Sequence, residues 1–294
     1  MFEHHNIVVK VPLSVSRDFE TIRNYGGEYS RLLRYFNFTQ HTDENANNQY
    51  IISASPTAWT KFWEFYNKEQ SFNIYNEFSP EKLCKFLHET FPLLVLKPEN
   101  TKDQNRLFPY KGKVAEIMTE TEIDALPYEV KRHHKMVTAF FVCDRGVSHE
   151  LVRHRNSFAQ ESTRYVNYGK SGCQFILPCW INHGDGEYDV KWQKCQGDQS
   201  IDPYPKGSAD SWWFWGCAHA ERVYLKLLDE GQNPQQARSV LPNSVKTEVY
   251  MSCTLAYWEW FFKMRDADAA HPQMRELAAP LHREFIEKNL LITE

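Results

Sequence analysis

The stretch MVTAFFVCDRGVSHELVRHRNSFAQESTRY, residues 136–165, carries both the core pattern and the chemistry of this chain. Its opening run, 136–143, is apolar and rich in β-branched and aromatic side chains, which predicts a buried strand. DRGVSHELVRHR follows at 144–155, with Val147, Leu151 and His154 on one helical face. Arg153, His154 and Arg155 are consecutive, so on a helix they fan out by about 100° each and cannot meet at one point. At a helix end entering a loop they can reach two different partners. Ser157, Gln160, Ser162, Thr163 and Arg164 then offer hydroxyl, amide and guanidinium donors within a short loop. That inventory suits a phosphate and the polar edge of a pyrimidine, since arginine grips phosphate oxygens in a fork while Gln and Ser read ring edges. The plainer reading is a solvated, salt-bridged helix end.

Composition narrows the choice. The chain has 294 residues, 42% hydrophobic and 24% charged, enough for one large domain or two modest ones with a real core. A net charge of −4 argues against a general binder of nucleic-acid polymers, which are held mainly by excess Lys and Arg. The start, MFEHHNIVVK, lacks the basic and apolar segments of a signal peptide, and no apolar run is long enough to cross a bilayer. The seven cysteines form no CxxC pair, so reduced thiols in a cytoplasm are expected rather than a disulfide framework or structural zinc. The His pairs at 4–5 and 133–134 lack a partner cluster, and no metal is expected.

Along the chain, residues 6–12 predict a strand and 39–49, TQHTDENANNQ, a polar loop. SPTAWTKFWEFYNKE (55–69) and SPEKLCKFLHETFP (79–92) each open with Ser-Pro, a helix start signal. Residues 98–112 read as a linker or surface loop. Residues 1–112 are thus expected to be a mixed N-terminal lobe, and 113–294 the catalytic part. After 136–143, CQFILPCW (173–180) is a second strand candidate. Residues 209–230 form a long helix that Gly231 can end, and NPQQARSVLP a short one stopped before Pro242. SVKTEVYMSCTL (244–255) is strand-like. AYWEWFFKMRD (256–266) and HPQMRELAAPLHREFIEK (271–288) are helices. Alternating strands and helices point to an α/β or mixed α+β class, with no GxGxxG and so no Rossmann motif.

Four blocks, in order, resemble the flavin-dependent thymidylate synthases: CDRGVSHELVRHR, SFAQESTRY, PQQARSVLPNSVKTEV at 234–249, and FFKMRDADAAHPQMREL at 261–277. The resemblance covers roughly residues 130–285. It implies an α/β fold of the family's own and methylation of dUMP at C5. Methylenetetrahydrofolate would supply the carbon, and FAD reduced by NADPH the hydride, in a homotetramer with shared active sites. It further implies that Glu150 and Arg153 lie at the nucleotide and that Gln160, Ser162, Thr163 and Arg164 hold dUMP. Arg238 would join them from another subunit. His154 and Arg155 would lie against the flavin, with His134 a further flavin candidate. Arg265 would activate the uracil ring, favouring its N3-deprotonated form and so raising electron density at C5. His271 would take a supporting role. Ser162 would bind substrate rather than act as a nucleophile, and Cys179 in LPCW reads as inert.

The chain departs from the family in two places. Six residues, NSFAQE, separate Arg155 from Ser162 where the family has seven. Before Arg265, where the family commonly carries Asn, Arg, and Asn or His against the flavin, this chain has Thr254, Ala256 and Trp260. The flavin would then be held differently, for example by stacking on Trp258 or Trp260. If it were not held, water could add to an exocyclic methylene at C5 and give a hydroxymethyl nucleotide. A non-catalytic nucleotide-binding protein on the same scaffold is the reading from a different class.

Overall fold

The computed structural model describes residues 6–12, 36–61, 116–154, 156–181 and 208–292. The expected helix at 79–92, the linker at 98–112 and Arg155 lie outside them. The chain divides into two compact units, Met1–Thr138 with Ser252–Trp260, and Ala139–Met251 with Phe261–Glu294. Strands and helices are mixed, as the sequence implied, and no described helix is long and apolar enough to cross a membrane.

The first unit is built on strands β1 (Ile7–Pro12), β2 (Asn37–Thr42), β3 (Asn48–Ala54) and β4 (Glu116–Ile117). They pair antiparallel in the order β2-β3-β1-β4, with Val9 opposite Ile52 and Phe38 opposite Ile52 on its other side. Two helices, α1 (Glu120–Asp124) and α2 (Tyr128–His134), pack Leu126 and Val130 with Met118 against Val8 and Ile51. Thr119 and Glu122 close a reciprocal capping box at the start of α1, satisfying donors that the helix leaves unpaired.

The expected loop at 39–49 is instead a hairpin. Only Asp43–Asn47 turns, with the Asp43 carboxylate accepting from the backbone N–H of Asn45 at 2.9 Å and of Asn47 at 2.8 Å. Strand β2 escaped the sequence reading because it is an edge strand with polar, half-exposed residues and no apolar alternation. The Ser-Pro start at 55–56 behaves as expected. A helix begins at Pro56, and Ser55 Oγ accepts from Ala58 N at 3.2 Å.

A second sheet has the order β5-β7-β6, from β5 (Met136–Asp144), β6 (Ser157–Gln160) and β7 (Lys246–Thr254). Ala139, Phe141 and Cys143 of β5 and Thr247, Val249 and Met251 of β7 are buried, while Phe140, Val142 and Tyr250 face outward, the period of two that a half-covered sheet imposes. Strand β5 runs into α3 (Arg145–Leu151). A short α4 (Tyr168–Ser171), a long α5 (Ala209–Asp229) and α6 (Pro234–Ala237) follow, with a 3-10 turn at Arg238–Val240. Then come α7 (Leu255–Arg265) and α8 (Pro272–Glu287). Tyr168, Tyr224, Ala237 and Val245 form a buried cluster beneath α5. Gly231, at φ 87°, follows the end of α5 in the left-handed conformation that glycine adopts without strain.

Two expectations are corrected here. Residues 173–180 make a single bridge, Phe175 to Val245, and no strand, because Pro178 has no N–H to extend a ladder. SFAQ, read as loop, is strand β6.

Asp144 ties the sheet to the helices. Its Oδ1 caps α3 by accepting from Val147 N at 2.6 Å, and its Oδ2 accepts from the buried Gln273 amide of α8 at 3.0 Å. Asp144→Ala strips a cap and leaves a buried amide unpaired, so it is expected to cost about 2–4 kcal/mol in a urea unfolding series.

Candidate functional site

Helix α3 ends at Leu151, and Val152 onward turns away from the axis. His154 therefore lies beyond the helix, not on its face, and the turn swings its ring into the second unit. There it is 4% exposed and meets the edge of Phe261 at 5.2 Å between centroids. Its Nε2 accepts a hydrogen bond from Arg265 Nε at 2.9 Å. Burial, reinforced by the Arg265 charge, pushes His154 down to about 4. The imidazole is thus neutral near pH 7, with Nε2 free of its proton to receive the guanidinium.

Arg265 is the last residue of α7. Its Nη1 reaches Glu150 Oε2 at 3.5 Å, while Glu150 Oε1 lies 3.0 Å from Nδ1 of His271, just before α8. Three elements thus bring Glu150, His154, Arg265 and His271 together. Trp180, 61% exposed, tilts over His271 at 6.3 Å between centroids.

A second group lies on the sheet. Gln160, at the end of β6, donates through Nε2 to Ser148 Oγ at 2.9 Å and to Thr247 Oγ1 at 3.3 Å. Ser148 and Thr247 are both fully buried, and Ser148 Oγ passes its own hydrogen to Arg145 O at 2.9 Å. The Gln160 amide is therefore fixed in orientation by hydroxyls on α3 and β7. Beyond it the chain turns over Ser162, whose carbonyl accepts from Tyr165 N and Val166 N. Ser162 Oγ accepts from Arg164 N at 3.4 Å. The Arg164 guanidinium sits 5.6 Å from the centre of the Tyr165 ring, and Tyr165 is 81% exposed. Arg238 Nη1 donates to the buried Thr163 Oγ1 at 2.9 Å. Arg238 thus meets this loop within its own chain. Arg153 is exposed to solvent.

The flavin candidates divide differently. His134 belongs to the first unit and is completely buried. Its Nδ1 is 2.7 Å from Ser53 Oγ and its Nε2 3.0 Å from Thr39 Oγ1, so both ring nitrogens are occupied by the four-stranded sheet. Burial pushes it down to about 3, with the neighbouring His133 adding to the effect. The unfolded chain takes this proton near 6.5 and the fold refuses it, so stability from the site is complete above about 6.5 and falls as pH drops toward about 3. Urea midpoints measured across that range are expected to decline on acidification, and His134→Gln to flatten the decline.

Thr254 is half-buried and Trp260 is 45% exposed, its ring meeting Tyr257 at 4.9 Å. Trp258, the other stacking candidate, is core: it is fully buried and donates from Nε1 to Val137 O at 3.1 Å. Glu259 is held by Tyr128 Oη at 2.5 Å and by Arg132. What α7 offers a cofactor in this unit is therefore an aromatic pair, the exposed Trp260 and the half-buried Tyr257. That fits a flat conjugated ring held by stacking, without charged donors from the same segment.

The sequence reading passed over Ser148, Thr247, Trp180 and the Asp144–Gln273 bond. Ser148 carried a usable signal, since it stands two residues before Glu150 in the same short helix. Thr247 carried none, because its pairing with Gln160 depends on the adjacency of β6 and β7.

The pattern of the family described as thymidylate synthase complementing protein matches residues 110–288. A flavin-dependent thymidylate synthase of Pyrococcus furiosus is 27% identical over 150 residues, which is 50% of this chain and 52% of that protein. One of Geobacter sulfurreducens is 29% identical over 140 residues, 47% of this chain and 51% of that protein. A probable flavin-dependent thymidylate synthase of Paramecium bursaria Chlorella virus 1 is 25% identical over 212 residues, 66% of this chain and 92% of that protein. The chain spans about half the length of the archaeal and bacterial relatives and nearly all of the viral one.

Proposed function

The chain belongs to the thymidylate synthase complementing protein family, and from that premise we propose that it transfers a one-carbon unit from methylenetetrahydrofolate to C5 of dUMP with flavin-mediated reduction, making dTMP. The observation that carries this reading is the Arg265 guanidinium, set against a neutral His154 and only loosely paired with Glu150. A fork so placed keeps its positive charge available to a ring edge. It favours the N3-deprotonated uracil, and the negative charge delocalised to C5 makes that carbon nucleophilic without an enzyme nucleophile. The fixed Gln160 amide reads a polar ring edge, while Ser162, Thr163, Arg164 and Arg238, with Arg153, hold the nucleotide and its phosphate.

FAD, reduced by NADPH, supplies hydride chemistry in this reading. Trp260 with Tyr257 offers it a stacking surface, and His154 and Arg155 are the remaining candidates to hold it. The folate and dUMP partners and the homotetramer come from the same resemblance, and the cytoplasmic setting from the cysteine pattern. The family match begins at residue 110, which supports reading 1–112 as an extension of a catalytic part at 113–294.

One observation favours a second reading. Between Leu255 and Trp260 the one charged side chain of α7 is Glu259, and it is already paired. A weakly held flavin would leave the C5 methylene to water and yield a hydroxymethyl nucleotide. The test is the visible absorption of the protein after incubation with FAD and removal of free cofactor. Retention of a flavin band is expected. A bare protein that still binds dUMP would turn the assignment to the hydroxymethyl product. Trp260→Ala is expected to weaken flavin retention about tenfold, as loss of a stacking aromatic implies.

A further inference from the structure

Glu150 stands between two groups that make opposite demands on it. Its Oε1 is 3.0 Å from His271 Nδ1, and its Oε2 is 3.5 Å from Arg265 Nη1. The imidazole has the closer hold, and the contact to the guanidinium is stretched to the limit of a hydrogen bond. On another edge of Arg265, Nε–H donates to His154 Nε2 at 2.9 Å. His154 is buried and carries no charge near neutral pH, so within this cluster Glu150 alone opposes the positive charge of Arg265.

A carboxylate that closed fully on Arg265 would take the fork away from any anionic ring, because two parallel N–H···O bonds to a carboxylate are the strongest pairing a guanidinium makes. A missing carboxylate would leave the fork turned only by His154. The observed arrangement lies between these extremes. His271 precedes Pro272 at the start of α8, with the Trp180 ring 6.3 Å away between centroids. Glu150 sits in the last turn of α3, whose start Asp144 fixes both to the sheet and to α8.

We propose that Glu150 and His271 are coupled positioning residues for Arg265. His271 draws the carboxylate back through Oε1, so that Oε2 orients the guanidinium without capturing it from the anionic nucleotide. This rests on the reading of Arg265 as the group that faces the uracil ring. Its consequence is an interaction between two positions. Without His271, Glu150 swings onto Arg265 and competes with the substrate. Without the Glu150 charge, His271 has nothing left to restrain.

The test is a double-mutant cycle on the full chain, with dUMP dissociation constants from calorimetry and kcat and KM from initial rates. His271→Asn is expected to weaken dUMP binding by about 3- to 10-fold. Glu150→Gln is expected to bind dUMP at least as tightly as the wild type and to lower kcat, because the oriented fork loses its anionic anchor. Adding His271→Asn to Glu150→Gln is expected to change binding no further, so that the second substitution rescues the first. Equal effects of His271→Asn in both backgrounds, or none in either, would overturn the coupling. If His271→Asn does not fold, His271→Gln is carried through the same cycle with the same expectations. A wild type that does not bind dUMP overturns the reading of the site and this inference with it. A wild type that binds dUMP but gives an additive cycle overturns the coupling alone.

Discussion

Arg265→Ala lowers turnover by at least about 100- to 1,000-fold, the loss expected when a donor aimed at developing charge is removed, and weakens dUMP binding by no more than about tenfold. The separation of the two effects follows from geometry. Arg265 is bonded to His154 on one edge and loosely to Glu150 on another, whereas Ser162, Thr163 and Arg164, proposed to hold the nucleotide, sit in a separate loop that Arg238 reaches from the 3-10 turn. Truncating Arg265 leaves that loop intact. Arg265→Lys keeps the charge but loses the planar fork, so it recovers only a small part of the rate. Single-turnover rates and equilibrium dUMP binding check both points. Turnover that survives Arg265→Ala would remove Arg265 from the chemistry, and equal turnover and binding losses would make it a general binding residue.

Trp258→Ala is expected to cost about 3–5 kcal/mol of stability, a large share of the roughly 5–15 kcal/mol that holds a domain folded. The side chain is fully buried and its Nε1 satisfies Val137 O, so truncation opens a cavity and strands a carbonyl. Trp260→Ala, two residues on, changes stability by only about 0.5 kcal/mol because its ring is already half in solvent. Denaturant midpoints for the two variants check the contrast. It bears on function, since of the two only Trp260 exposes its ring to solvent.

The elements of the second half were readable because apolar periodicity and punctuation agree there. Alternating β5, the long α5 ended by Gly231, and Pro272 in the first turn of α8 each carried a local signal. Strand β2 was hidden by its polar edge position, and 173–180 looked like a strand because β-strand propensity ignores the missing Pro178 donor. The site was legible as an inventory but not as an arrangement. Arg153, His154 and Arg155 stand together in sequence, yet Arg153 is exposed while His154 is buried against Arg265, more than a hundred residues along the chain. His134 was a flavin candidate by resemblance alone; that its nitrogens lie against Ser53 and Thr39 is a pairing only the sheet register creates. The sequence showed that Trp258 and Trp260 were candidates for one role, and burial separated them.

Flavin-mediated methylation at C5 of dUMP is the reaction proposed for this site. The most direct measurement is the mass of the nucleotide formed from dUMP when the purified protein is supplied with FAD, NADPH and methylenetetrahydrofolate, with NADPH consumption followed alongside. The expected product is heavier than dUMP by a single CH2, a methyl in place of the C5 hydrogen, formed in step with NADPH oxidation and lost in Arg265→Ala. A hydroxymethyl product formed without NADPH oxidation, or unchanged dUMP in the presence of bound flavin, would contradict it.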